Sequence, residues 1–158
     1  MSATHALWAS TAGLTAMMVS IPLWGLLSDL IGRRPLMLGA ALMCIVVPYP
    51  AFQLLLASGS LVQIFGIAVV AGILVGVFAG VGPAVMSELF PTSQRTTGIS
   101  ISFGLATAVL GGFAPFLSTW LIKATGSPLS PTFYVIAAAV VSSVMAFRLR
   151  ETAFERLH

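Results

Sequence analysis

The residues that could do chemistry in this chain are few, and they sit at the seams of an apolar sequence. The stretch "PLWGLLSDLIGRRPLML", residues 22–38, sets Asp29, Arg33 and Arg34 between two oily runs, and "SELFPTSQRTTG", residues 87–98, carries Glu88 and Arg95. Carboxylates and guanidiniums at such spacings form ion pairs, which fix loops or hold one conformation against another. Catalysis asks for more: a nucleophile beside a base, a metal cluster, or two acids at reacting distance. None of these is legible. His5 and His158 stand near opposite ends, which leaves no metal-ligand spacing, and the single Cys44 excludes an internal disulfide. The chain does not read as an enzyme, and no metal or cofactor is expected.

Composition states what must position these residues. Of the 158 residues, 58% are hydrophobic and 7% charged, with a mean hydropathy of +1.06; a soluble domain carries about a quarter charged residues. A water-soluble fold of this size could not hide so much apolar surface, so the chain reads as an integral membrane protein with lipid around it. A pI near 9.8 would suit nucleic acid, yet the seven Lys and Arg are scattered over separate loops and form no basic patch. Charges and Gly/Pro punctuation cut out five segments, at about 4–28, 36–57, 62–88, 97–122 and 131–148. Each is near or above the roughly 20 residues a bilayer-spanning helix needs. None alternates with period two, against a β-barrel. No Lys or Arg precedes the first run and no small-residue cleavage pattern follows it, against a secretory signal. The expected fold is all-α: a single membrane domain over 1–158, built as a bundle of five transmembrane helices.

Spans in this order put the loops near 29–35 and 88–96 and the tail from 148 on one side. That side holds Arg33, Arg34, Arg95, Arg148, Arg150 and Arg156, while the other holds Lys123. The positive-inside rule places the arginines in the cytoplasm, with the first residues outside and the last inside. The acids Asp29, Glu88, Glu151 and Glu155 share the inner side. Between the first two spans the turn must be tight. Gly32 tolerates unusual backbone angles, Pro35 suits a first helical turn, and Gly25, one turn before Asp29, lets a neighbouring helix come close. On residue types alone, a charged hairpin anchoring two spans accounts for this loop.

The third and fourth spans are rich in glycine. Gly72, Gly76 and Gly80 fall on one helical stripe where backbones can touch; ordinary packing accounts for most of these glycines. Gly111 and Gly112 stand near mid-span with Pro115 one turn on. They read equally as a simple kink or as an interrupted helix whose backbone lines a cavity. The polar residues inside the spans, among them Thr15, Ser20, Ser100 and Thr119, are uncharged and are expected to bond their own helix backbone. Thr107, one turn before Gly111, is the best placed to line a cavity. His5 belongs at the outer interface. No Asp, Glu, Lys or Arg falls at mid-membrane.

The run Gly25-Leu-Leu-Ser28-Asp29-Leu-Ile-Gly32-Arg33-Arg34-Pro35 closely resembles the cytoplasmic loop motif of the major facilitator superfamily, with glycine, aspartate, glycine and paired basic residues in register. That motif follows the second helix and, more loosely, the eighth. "SELFPTSQRTTGISISFGLATAVLGGFAPFLSTWL" is similar to the end of helix ten and all of helix eleven in the metabolite–proton symporters. That branch carries citrate, α-ketoglutarate, shikimate, proline and betaine. The likeness runs from about residue 20 to "RLRET". It implies that the five segments are helices eight to twelve of a twelve-helix transporter, part of its carboxy-terminal half, with the amino-terminal helices as missing partners. The family keeps both termini in the cytoplasm, so seven absent helices would account for first residues that lie outside.

The same resemblance implies a cytoplasmic gate, in which the acid lies against a helix N-terminus across the domain interface and the arginine pairs with nearby acids. Carried over, the gate would comprise Gly25, Asp29, Gly32, Arg33, Arg34, Glu88 and Arg95. The alternative is a set of solvent-screened charges worth ~0–1 kcal/mol per pair. The resemblance further implies the inner cell membrane, and a small organic acid and a proton as partners of the intact carrier. "RTTGISISFGLATAVLGGFAPFLST" looks closer to the citrate and tricarballylate members, so a di- or tricarboxylate is expected. A proline/betaine or shikimate-type carrier, or a small membrane protein associating with another transporter, is the alternative. Ionisable residues at mid-membrane are the usual anion and proton sites. Their absence here places them in the missing half and leaves this chain inactive alone.

Overall fold

The structure, a computed structural model, describes residues 3–57 and 60–148. Five helical stretches are long and apolar enough to cross a membrane: Thr4–Ile31, Arg33–Ala57, Leu61–Glu88, Arg95–Thr125 and Ser130–Arg148. Among the described residues there is no strand. Hydrocarbon offers no water to take over a broken hydrogen bond, and a helix closes its backbone bonds within its own segment.

The first boundary lies further along than the charges suggest. Helix α1 (Ala3–Ile31) runs past residue 28 and α2 (Arg33–Val46) begins three residues before 36, so Gly32 alone separates them. Asp29 therefore lies within the last turn of α1. Gly32 has φ 109°, a region that side chains strongly disfavour, while its N–H still donates to the Ser28 carbonyl at 3.0 Å. The reversal is complete in one residue.

The second span is two helices, α2 and α3 (Pro48–Ala57), where one was expected over 36–57. Pro48 and Pro50 bring no N–H to the carbonyls of Cys44 and Val46. The ladder continues through Val47, which donates to Met43 at 2.8 Å and accepts from Ala51 at 3.1 Å. Helix α4 (Leu61–Leu89) is capped by Ser60, whose hydroxyl accepts from the Gln63 N–H at 3.3 Å. The fourth span comprises α5 (Arg95–Ala106), a π-helical turn at Thr107–Gly111, and α6 (Gly112–Thr125), which ends at Gly126 with φ 69°. Helix α7 (Ser130–Arg148) closes the bundle.

Close approach, more than bulk, holds α1 against α4. A Cβ at Gly80 would stand 2.7 Å from the Ile21 carbonyl oxygen, and one at Gly13 would stand 2.8 Å from that of Ala68. Gly72 lies against the Gly13 carbonyl and Gly76 against the Ser20 hydroxyl. The stripe of Gly72, Gly76 and Gly80 is thus the contact face. Gly25 borders it: its backbone nitrogen lies 3.5 Å from where a Cβ at Gly80 would stand, so α4 does come close here, while the place of its own Cβ is open, with nothing within 4 Å. Towards Gly32 the core is Ala40, Val77, Val81 and Val85, covered by Trp24, Leu36, Met37 and Phe78. The Trp24 indole N–H donates to the Ile73 carbonyl at 3.1 Å, so a polar atom in this apolar layer is satisfied.

Candidate functional site

Arg33, first residue of α2, stands between two carboxylates. One guanidinium nitrogen pairs with Glu88 in the last turn of α4, and another reaches Asp29 at 3.5 Å. Asp29 is four residues back across the Gly32 reversal, and the α1–α4 packing delivers Glu88. The two pairs differ in environment. Side-chain exposure is 15% for Arg33 and 9% for Glu88, but 65% for Asp29. Two unit charges at 4 Å interact by ~4 kcal/mol at an effective dielectric of 20 and ~1 kcal/mol in water. The Arg33–Glu88 pair is therefore the strong bond, and Asp29 keeps most of its surface open.

The other two arginines turn elsewhere. Arg34 donates to the Phe147 carbonyl at 2.7 Å, with its guanidinium 5.2 Å from the centre of the Phe147 ring. This cation–π contact ties the start of α2 to the last turn of α7. Arg95 Nε donates to the Phe90 carbonyl at 3.5 Å. Among the described residues Arg95 is not brought to the Asp29–Arg33–Glu88 group, because α4 ends at Leu89 and residues 91–94 form the turn before α5. The Phe90 ring lies where a Cβ at Gly98 would stand, which closes this turn on itself. The ends of α1, α4 and α7 and the start of α2 consequently meet at one end of the bundle. Arg150, Glu151, Glu155, Arg156 and His158 lie outside the described residues.

Thr107 and Gly111 bound the π turn, Gly112 is the first residue of α6, and all three are exposed. The Gly112 N–H bonds the Thr107 carbonyl five residues back, and the Tyr134 hydroxyl of α7 donates to the Leu110 carbonyl at 3.1 Å. Two open apolar recesses follow α1, one beside Trp8, Thr15 and Phe65 and one beside Ser20, Leu23 and Ile73; no charged residue lines either. No group of three metal-ligating side chains occurs among the described residues. Tyr134, Gly13 and the Pro48–Pro50 pair were missed in the sequence. The two prolines gave a signal, being spaced two apart within an apolar run. The other two did not, since a lone tyrosine or glycine in a span has many uses.

The family model of the Major Facilitator Superfamily matches residues 1–157. The chain is 34% identical over 120 residues to the citrate-proton symporter of Salmonella typhi, covering 76% of this chain and 28% of that protein. It is 32% identical over 120 residues to the citrate-proton symporter of Klebsiella pneumoniae, covering 76% of this chain and 27% of that protein. It is 30% identical over 152 residues to the proline/betaine transporter of Escherichia coli K12, covering 96% of this chain and 30% of that protein. The chain thus spans less than a third of the length of these relatives. No solved structure matches it.

Proposed function

This chain belongs to the Major Facilitator Superfamily, and from that premise we propose that it supplies helices eight to twelve of a proton-coupled symporter for a di- or tricarboxylate such as citrate. The carrying observation is Arg33, bonded to Glu88 and Asp29 between three helix ends. An arginine held by a buried acid, beside an open one, suits a contact made and broken during transport. In this reading Glu88 fixes Arg33 in place, and the exposed Asp29 carboxylate is the movable half, favouring the positive end of an opposing helix. That helix would come from the part of the carrier outside this chain, together with the charges that relay the proton. Thr107, Gly111 and Gly112 would line the path at an interruption of the fourth span. The arginine-rich end would face the cytoplasm of a cell whose inner membrane holds the carrier.

Identity to the citrate-proton symporters supports the acid. The proline/betaine relative covers more of the chain, 96% against 76%, and supports a zwitterionic substrate as the second reading. Uptake by a carrier that joins this chain to a full set of amino-terminal helices separates the two. Labelled citrate should enter saturably, stop when the proton gradient is collapsed, and resist competition by proline or betaine. Competition in the opposite sense would transfer the assignment to the second reading.

A further inference from the structure

Hydroxyls inside the spans bond their own helix where a carbonyl is at hand. Thr15 donates to Thr11, Thr119 to Pro115 and Ser143 to Ala139, each at 2.8 Å. Thr132 does not. It is 0% exposed, and its hydroxyl oxygen has no hydrogen-bond partner among the described residues. Its place in the first turn of α7 is the reason. The residue four back is Pro128, in the turn ahead of the helix, and the Leu129 carbonyl accepts the Thr132 N–H at 3.0 Å. A buried hydroxyl left in this way is costly.

The packing of α7 says what faces it. Helix α7 lies chiefly against α2, and two contacts fix an antiparallel register. Arg34 meets Phe147 at one end, and the Tyr49 and Phe133 rings lie 6.3 Å apart towards the other. Thr132, Ala139 and Ala146 recur every second helical turn, so they share one face of α7, and all three are buried. In this register Ala139 falls near Ala41, and Thr132 falls level with Pro48. Ala40 packs into the core with α4. Ala41, about 100° further round the helix, is 0% exposed and lies on the side turned to α7. Cys44 and Pro48 follow Ala41 on the same stripe, at helical spacing. That stripe is interrupted at Pro48, which brings no N–H to the Cys44 carbonyl, while the Val47 N–H is given to Met43. A hydroxyl without an acceptor and a carbonyl without its helical donor therefore share one seam at one level.

We propose that a water molecule is bound in this seam, accepting from the Thr132 hydroxyl and donating to the Cys44 carbonyl. Two polar partners are the fewest that hold a buried water, and a water bridges groups set too far apart for a direct bond. Carbonyls freed at helix breaks in hydrocarbon are satisfied by neighbouring hydroxyls and ordered waters. The bridge pins the break between α2 and α3 to the start of α7, and it does not depend on the proposed transport function.

Cys44 is the sole cysteine of the chain, so cysteine labelled with carbon-13 at its carbonyl gives one signal. The whole chain is reconstituted in deuterated lipid, and magnetisation is transferred from water protons to that carbon by solid-state NMR. Cys44 lies well inside a span, away from bulk water, yet its carbonyl should gain intensity from water. Thr132→Ser keeps the hydroxyl and should keep the transfer, whereas Thr132→Val should abolish it. Stability gives a second readout with a definite sign. An idle hydroxyl predicts a more stable Thr132→Val chain, because a buried unpaired group is removed. The bridge predicts a folded-to-unfolded ratio lowered about tenfold, because the Cys44 carbonyl loses its partner. Pro48→Ala restores an N–H for that carbonyl, and in its background Thr132→Val should cost nothing. No transfer from water in the unmodified chain, transfer that survives Thr132→Val, or an equal cost of Thr132→Val in both backgrounds overturns the proposal.

Discussion

Among individual residues, burial decides which of two ion pairs carries stability. Removing one partner of a buried pair leaves an uncompensated charge at a cost of about 3–5 kcal/mol, and Arg33 and Glu88 are 15% and 9% exposed. Glu88→Gln should therefore lower the melting temperature of the purified chain in detergent markedly. Asp29 is 65% exposed, and a screened pair of that kind is worth ~0–1 kcal/mol. Asp29→Asn should leave the melting temperature nearly unchanged yet impair uptake by a full-length carrier. Equal losses of stability in the two variants, or normal uptake by Asp29→Asn, would return the loop to a membrane anchor. The sequence made the charged group legible because so few charges interrupt the chain. It did not reveal the partners of Arg34 and Arg95. Their distances in sequence to Phe147 and Phe90 are 113 and 5 residues, and only the closed bundle decides between a near carbonyl and a far one.

In the helices, the spans were legible because length and hydropathy set them directly, while the contacts between them were not. Gly72, Gly76 and Gly80 announced a close face by their spacing of four, but the partner glycine, Gly13, has no glycine one turn away to mark it. Gly25, in the motif, meets α4 through its backbone nitrogen while its own Cβ position stays open, because the crossing of α1 on α4 sets which side of α1 is covered. That contrast gives a stability prediction. A Cβ at Gly72 would run into the Gly13 backbone, which cannot move aside without separating the helices. Gly72→Ala should destabilise by about 1–3 kcal/mol, the usual range for overpacking. Gly82 has nothing within 4 Å, so Gly82→Ala should be neutral or should stabilise by up to ~1 kcal/mol through helix propensity. Chemical unfolding of both variants in mixed micelles checks the pair, and a Gly72→Ala chain as stable as the parent would remove backbone contact as the cause of α1–α4 association.

For the whole molecule, the helix ends gathered around Arg33 define a charged pole, and the turn after Lys123 lies at the other end of the fourth span. If the charged pole is cytoplasmic, a cysteine placed at residue 31, which is exposed, should resist a membrane-impermeant thiol reagent in intact cells, and one at residue 124, also exposed, should react. The reverse pattern would invert the proposed orientation. A second consequence concerns activity. Carriers of this superfamily bind substrate near the bilayer midplane, between halves that rock against each other, and this chain spans 28% of the citrate-proton symporter it resembles. Its described spans place Asp29, Arg33 and Glu88 at one pole and Lys123 near the other, with no acid or base between them to bind an anion or relay a proton. The long apolar faces of α1 and of the fourth span are exposed and would meet lipid, another copy or the remainder of a carrier. Purified chain in liposomes, given an inward proton gradient and labelled citrate, should take up no more than empty vesicles do. Saturable, gradient-driven uptake by this chain alone would require several copies to build a path together, and would replace the partial-carrier reading with a homo-oligomeric one.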